Sequence, residues 1–311
     1  MAETALIDTG FPNGLRLFCL RSSRSEAKFI YHEIFENETY VQHGVSIKDG
    51  DCIIDVGANV GMFSLFAMTS YSDLRILSFE PAPPIFEALR ANIERCRPEV
   101  SGTIKMFPAG LADENSFRDL TFYPRAPGNS TLYDAEKQQE PEATADTISL
   151  SVVWNCDKLA FLGLMLLYPF RRSLIRSTLR KLYRNGKKYR CEFLTLSYII
   201  EEQCIDLIDL LKIDVEGSEF DVLAGIHEEH WERIQQIVIE IAPSNAGRID
   251  QLTDDLAQRG FCNIHLQSMG SDTYREGIDI PCTLYAARNI EPEAARSANE
   301  VQTAVHVPAI R

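Results

Sequence analysis

The residues of this chain best placed to do chemistry are Asp55, Gly57, Gly61 and Glu80. Residues 52–64 read CIIDVGANVGMFS. Cys52, Ile53, Ile54 and Val56 form a short apolar run that predicts a buried parallel strand. Gly57 and Gly61 bracket a tight turn where backbone can approach a ligand, and the apolar pattern that follows predicts a helix. Glu80 ends a second apolar run, Ile76-Leu77-Ser78-Phe79. It lies about 20 residues past the turn, the spacing at which an acid can hold a ribose hydroxyl pair. A dinucleotide fingerprint, G-x-G-x-x-G, needs bare backbone against a pyrophosphate. From Gly57 it would require glycines where Asn59 and Met62 stand. S-adenosyl-L-methionine has a ribose and no phosphate, so the missing glycines favour methyl transfer over hydride chemistry.

The elements that must position these residues alternate. Strands are expected at 52–56, 75–79, 104–107, 207–213, 234–241, 262–266 and 282–287. Helices are expected at 62–70, 83–96, 218–226 and 249–259, with Pro83 at a helix start. This alternation predicts an α/β fold, a mostly parallel sheet covered by helices on both faces, with ligands outside the carboxyl ends of the strands. Ahead of it, 15–20 reads as a strand and 26–43 as one or two helices.

Composition bounds the rest. The 311 residues are 45% hydrophobic with a net charge of −14, enough apolar content for a core and too acidic a body for nonspecific binding to nucleic acid or an anionic membrane. The eight cysteines form no C-x-x-C pair and read as reduced thiols. No secretory signal is visible at the N-terminus, so a cytoplasmic location is expected. The alternation breaks over 117–197. Residues 124–145 read as loop and 159–170 as a strongly apolar run too short to span a bilayer. The segment from Arg171 to Arg190 carries nine basic residues and no acid, leaving 22 basic against 45 acidic residues elsewhere. A lid that docks an anionic partner is one reading; an amphipathic helix pair with a solvated basic face is the other.

DVGANVG (55–61), FEP (79–81), LLKIDVEGSEFDVLAGI (210–226) and IVIEI (237–241) resemble the FkbM-type S-adenosylmethionine-dependent methyltransferases. YHEIFENETYVQHGV (31–45) resembles versions embedded in modular polyketide and peptide synthases. The resemblance implies a class I, Rossmann-like methyltransferase fold with seven strands, the last antiparallel. The chain is expected to divide into a cap segment (1–48), a methyltransferase domain (49–290) with a lid insertion at about 124–195 that departs from the family pattern, and a linker or tail (291–311). The resemblance places Asp55, Gly57, Ala58, Asn59, Gly61 and Ser64 around the cofactor, Glu80 and Pro81 at the ribose, and Gly110, Leu111 and Asp113 at the adenine. Asp214 and Glu216 fall beside the transferable methyl group.

The activity implied is O-methylation of a hydroxyl on a polyketide or peptide intermediate, presented by an acyl or peptidyl carrier protein that the basic segment would dock. N- or C-methylation on the same scaffold and a non-catalytic cofactor-binding docking module are the alternatives. An alcohol is a weak acid, so a general base is expected. His43, in the segment that caps the cofactor, is the first candidate, oriented by Glu216 or Glu240, either of which could instead act directly as base; His32 is weaker. His227 and His230 read as structural, at the far edge of the sheet. A divalent ion held by Asp214, Glu216 and Glu240 is the alternative to acid–base catalysis by side chains.

Overall fold

The computed structural model describes residues 4–96, 101–139, 141, 171–268 and 282–288. Its centre is β3 (Cys52–Val56), buried at every position as a run apolar on both faces requires. Around it lie β4 (Arg75–Phe79), β5 (Thr103–Phe107), β9 (Leu210–Ile213), β10 (Gln236–Ile241), β11 (Asn263–Ser268) and β12 (Cys282–Ala287). They form one seven-stranded sheet in the order β5-β4-β3-β9-β10-β12-β11. β12 runs antiparallel between β10 and β11, with Tyr285 opposite both Val238 and His265. This is the class I methyltransferase topology that the resemblance implied. The strand order reverses beside β3, so the carboxyl ends of β3, β4 and β9 open the crevice that such sheets use for ligands.

Helices cover both faces. α2 (Met62–Ser70) is buried from Met62 to Met68. α3 (Pro83–Cys96) starts on two prolines, which suit a first helical turn, and buries Ile85, Ala88, Leu89, Asn92, Ile93 and Cys96 at helical spacing. The N-terminal segment packs on this layer. β1 (Leu6–Gly10) and β2 (Arg16–Leu20) make a hairpin, of which the sequence signalled only the second strand. Asn92 ties it down: its side chain accepts from Phe18 N–H at 2.6 Å and donates to the carbonyls of Phe18 and Val60 at 2.9 and 2.8 Å. α1 (Arg24–Tyr31) then leads through a wide turn (His32–Glu36) to a short 3₁₀ turn (Thr39–Val41). No helix among the described residues is long and apolar enough to cross a membrane.

The expected insertion at 124–195 needs correction. β6 (Ala109–Leu111), β7 (Ser116–Phe122) and β8 (Lys187–Leu194) form a second, three-stranded sheet in the order β6-β8-β7. The end of the basic run is therefore a strand and not part of a helix pair. Tyr189, Cys191 and Phe193 turn inward while Lys188, Arg190 and Glu192 stay exposed, the period-two pattern of a half-buried strand. α4 (Asp134–Lys137) follows the β7 strand, and α5 (Arg171–Leu182) is the helical part of the basic run. The 159–170 run and the 291–311 tail lie outside the described residues.

Candidate active site

β3 ends at Val56 and the chain turns back on itself. The N–H groups of Gly57 and Ala58 both donate to the Phe79 carbonyl, at 3.0 and 2.9 Å. Gly57 has φ +77°, and a Cβ there would overlap the Asp214 carbonyl oxygen. The position needs glycine because the end of β9 presses on the turn. Asn59 follows in the left-handed region, φ +51°, and its N–H donates to Glu80 Oε2 at 3.1 Å. Ala82 N–H donates to the other oxygen, Oε1, at 2.9 Å. Glu80 is thus clamped between the turn and the start of α3. It is 6% exposed, and burial pushes its pKa up to about 7 despite the two donors.

Glu80 lines a cleft of about 580 Å³, open mouth included, together with Gly57, Asn59 and Pro81. Gly110, Leu111, Leu120 and Phe193 form an apolar wall, and Gly128, Ser130, Asp214 and Glu216 lie across from it. The small sheet supplies this wall: Phe193 of β8 packs so closely on Gly110 that a side chain at 110 would meet its ring. These residues fit S-adenosyl-L-methionine. Glu80 offers a carboxylate to a ribose diol, the wall offers apolar surface to an adenine, and Gly57 and Asn59 line the cleft where the amino-acid end would lie.

Other expected cofactor residues build the turn from behind. Asp55 is fully buried, accepts from Ser64 Oγ at 2.7 Å and pairs with Lys212 Nζ at 3.1 Å. Lys212 also donates to the Gly57 carbonyl at 3.0 Å and lies 3.4 Å from Asp214 Oδ2. Burial works against the Lys212 charge, but Asp55 and Asp214 outweigh it and raise its pKa. Asp55, Ala58 and Ser64 do not line the cleft. Gly61 serves packing: a Cβ there would sit 2.6 Å from Leu89 Cδ1 of α3. Asp113 is exposed beside the cleft wall, held by the Arg118 guanidinium, which lowers its pKa.

The acids on the opposite side are coupled through Tyr40, which sequence reasoning did not single out. Its hydroxyl lies 3.1 Å from Asp214 Oδ2 and 3.2 Å from Glu240 Oε2. One O–H cannot donate to two carboxylates at once. A protonated Glu240 that donates to Tyr40, while Tyr40 donates to Asp214, satisfies both contacts. Burial first, then Asp214, Glu33 and Glu216, hold the Glu240 pKa well above the ordinary carboxylate range. Glu33 is pushed up to about 8 by burial and then by Asp214 and Glu216. Glu216 has φ +54° and pairs with Lys137 Nζ at 2.7 Å, while its carbonyl accepts from Thr131 Oγ1 at 2.7 Å. Lys212 carried the one legible signal of this network, because a lysine inside an apolar strand must be paired. Tyr40, Glu33 and Lys137 arrive from segments whose local patterns say nothing of it.

His43 does not belong to this group, which corrects its expected role. Its ring stacks on His265 with centroids 3.7 Å apart, and its carbonyl accepts from Asn263 at 2.7 Å. Three residues on, Ser46 N–H donates at 2.8 Å to the side chain of Gln236, the first residue of β10. The segment therefore runs past the amino end of β10, whereas Asp214 and Glu240 stand toward the carboxyl ends. Asp214, Glu216 and Glu240 do not gather as one metal-ligand group among the described residues; Tyr40 and Lys212 contact Asp214, Tyr40 contacts Glu240, and Lys137 pairs with Glu216.

The family model "Methyltransferase FkbM domain" matches residues 55–261. The 31-O-demethyl-FK506 methyltransferase FkbM of Streptomyces tacrolimicus is 38% identical over 251 residues, covering 80% of this chain and 86% of its own. The AMB antimetabolite synthetase AmbE of Pseudomonas aeruginosa is 31% identical over 282 residues, 89% of this chain but 12% of that protein. Among solved structures, precorrin-6y C5,15-methyltransferase from Geobacter metallireducens GS-15 aligns with a TM-score of 0.37 at 10% identity, over 78% of this chain and 82% of that one. The chain belongs to the FkbM family of methyltransferases.

Proposed function

We propose that this enzyme is an S-adenosyl-L-methionine-dependent O-methyltransferase acting on a hydroxyl of a polyketide or peptide intermediate carried on a carrier protein. The observation that carries this reading is a single cleft that joins the Glu80 clamp to Asp214 and Glu216. When bound, the cofactor supplies a methyl group already activated on a sulfonium. What remains for the chain is to align an acceptor hydroxyl and to take its proton. Gly57, Asn59 and Glu80 hold the cofactor; Asp214 accepts the hydroxyl proton. Lys212 and Tyr40 fix the Asp214 carboxylate from behind, and Tyr40 connects it to Glu240. Orientation of this kind can supply about 7–11 kcal/mol of the barrier and the base about 10²–10⁴-fold.

The acceptor class rests on the family and on charge. One relative is named for methylation at an oxygen, and another is a large synthetase of which this chain spans 12%. The end of α5 is tied to the cleft: Tyr183, just beyond it, donates to Asn129 at 3.0 Å, between the cleft residues Gly128 and Ser130. Arg172, Arg180 and Lys181 are exposed on or near this helix, a cationic patch on an acidic body that suits an acidic carrier protein. Reversing these three to Glu is expected to raise the apparent KM for a carrier-bound substrate by about tenfold at low salt. It should leave a small thioester mimic unchanged. Equal effects on both substrates, or no salt dependence, would remove the carrier from the proposal. Cofactor binding without transfer to any hydroxyl acceptor would remove the O-methyl assignment.

A further inference from the structure

A second donor cluster stands away from the cleft. Glu201, His227 and His230 each offer a ligand atom, and these atoms all lie within 4.8 Å of one another. Glu201 is in α6 (Leu196–Glu202). The histidines flank the start of a 3₁₀ helix (Glu228–Arg233) that leads into β10. His227 is the extended residue that opens this helix and His230 lies in its first turn, where their rings are nearly parallel at 13° and 6.1 Å apart.

The buried member is already oriented. His230 has a side chain 4% exposed, and its Nδ1 lies 2.8 Å from Ser197 Oγ. Ser197 is fully buried and also accepts from His227 N–H at 2.7 Å. One hydroxyl thus fixes the His230 ring and the backbone that carries His227. Metal-binding histidines are held in this way, by a second contact at the nitrogen that does not ligate. The other nitrogen, Nε2, lies 3.9 Å from Glu201 Oε1, too long for a hydrogen bond. A tetrahedral zinc centre with bonds of about 2.0–2.1 Å separates its ligand atoms by about 3.3–3.4 Å. The gap closes by rotation of side chains alone, since His227 and Glu201 are 56% and 64% exposed.

We propose that Glu201, His227 and His230 form a zinc site, with solvent completing the coordination. Two imidazoles and a carboxylate are a donor set that zinc favours. The ion would staple α6 to the turn that feeds β10, at the amino end of that strand. It takes no part in the cleft, and the proposal does not depend on the acceptor assigned above.

The test is a titration of EDTA-stripped full-length protein with Zn²⁺ by calorimetry at neutral pH, paired with thermal unfolding and Co²⁺ substitution. The expected result is one site, a raised unfolding midpoint, and a tetrahedral Co²⁺ spectrum without thiolate charge-transfer bands. Glu201→Gln and His227→Ala replace exposed side chains, so both variants should fold. Each is expected to weaken binding at least tenfold and to abolish the metal-dependent stabilisation. Binding unchanged in both variants, a thiolate spectrum, or no binding tighter than that of the Glu201→Gln/His227→Ala double variant would overturn the site.

Discussion

With Glu80 on the ribose, as proposed, cofactor binding depends on pH in a direction that can be stated in advance. Its carboxylate is buried and accepts one backbone N–H on each oxygen, and its pKa is raised from 4.5 to about 7. Ionising it in the folded protein therefore costs about 3 kcal/mol, from 1.36 kcal/mol per unit. In the free enzyme that cost is absent below about pH 4.5 and complete above about pH 7, so this group lowers stability as pH rises through that window. A ribose diol donates two O–H groups and prefers the carboxylate. Below about pH 7, binding S-adenosyl-L-methionine must therefore expel a proton, and Kd should rise by up to tenfold per unit of pH. Calorimetry at pH 6 in buffers of different ionisation enthalpy should show close to one proton released per site, falling toward zero at pH 8. Glu80→Gln keeps the shape but turns an amide NH₂ toward one of the two backbone donors. The unpaired N–H lowers stability in free and bound protein alike, while the weakened ribose contact should cost about 1–3 kcal/mol of binding, or roughly 5- to 150-fold in Kd at pH 8. The same variant should lose the pH dependence between 6 and 8. Equal wild-type affinity at pH 6 and 8, or a variant that binds like wild type, would refute the placement of Glu80 on the ribose.

Other substitutions test the network behind the cleft. Lys212→Met strands the buried Asp55 charge and should cost about 3–5 kcal/mol of stability, read as a lower midpoint in thermal or denaturant unfolding; an unchanged midpoint contradicts the pairing. Tyr40→Phe removes the hydroxyl between Asp214 and Glu240. Turnover should fall roughly 10- to 150-fold, the worth of a hydrogen bond to a charged group, with cofactor affinity little changed. Asp214→Asn should cost about 10²–10⁴ in kcat, whereas His43→Ala should stay within about threefold. The opposite ranking would return the base to the histidine.

The local pattern was sufficient for the frame of this protein. Cys52–Val56, Arg75–Phe79 and Cys282–Ala287 are strands where their apolar runs say so, and Pro83–Cys96 is a helix from its prolines to its last buried cysteine. Backbone propensity and two-sided burial are short-range properties, so a single segment displays them. The Glu80 clamp was legible for the same reason: strand end, glycine turn and acid recur at a fixed separation. The basic run failed as a helix pair because its final strand is defined by partners 71 and 75 residues away, Asp119 opposite Arg190 and Phe117 opposite Glu192. Only the folded chain decided the acid network. Tyr40 meets Asp214 across 174 residues and Glu240 across 200, while His43, three residues from Tyr40, stacks near the amino end of the sheet instead. Which side chain reaches a catalytic position depends on how the cap segment crosses the sheet. Long-range packing sets that path, and no short stretch of sequence encodes it.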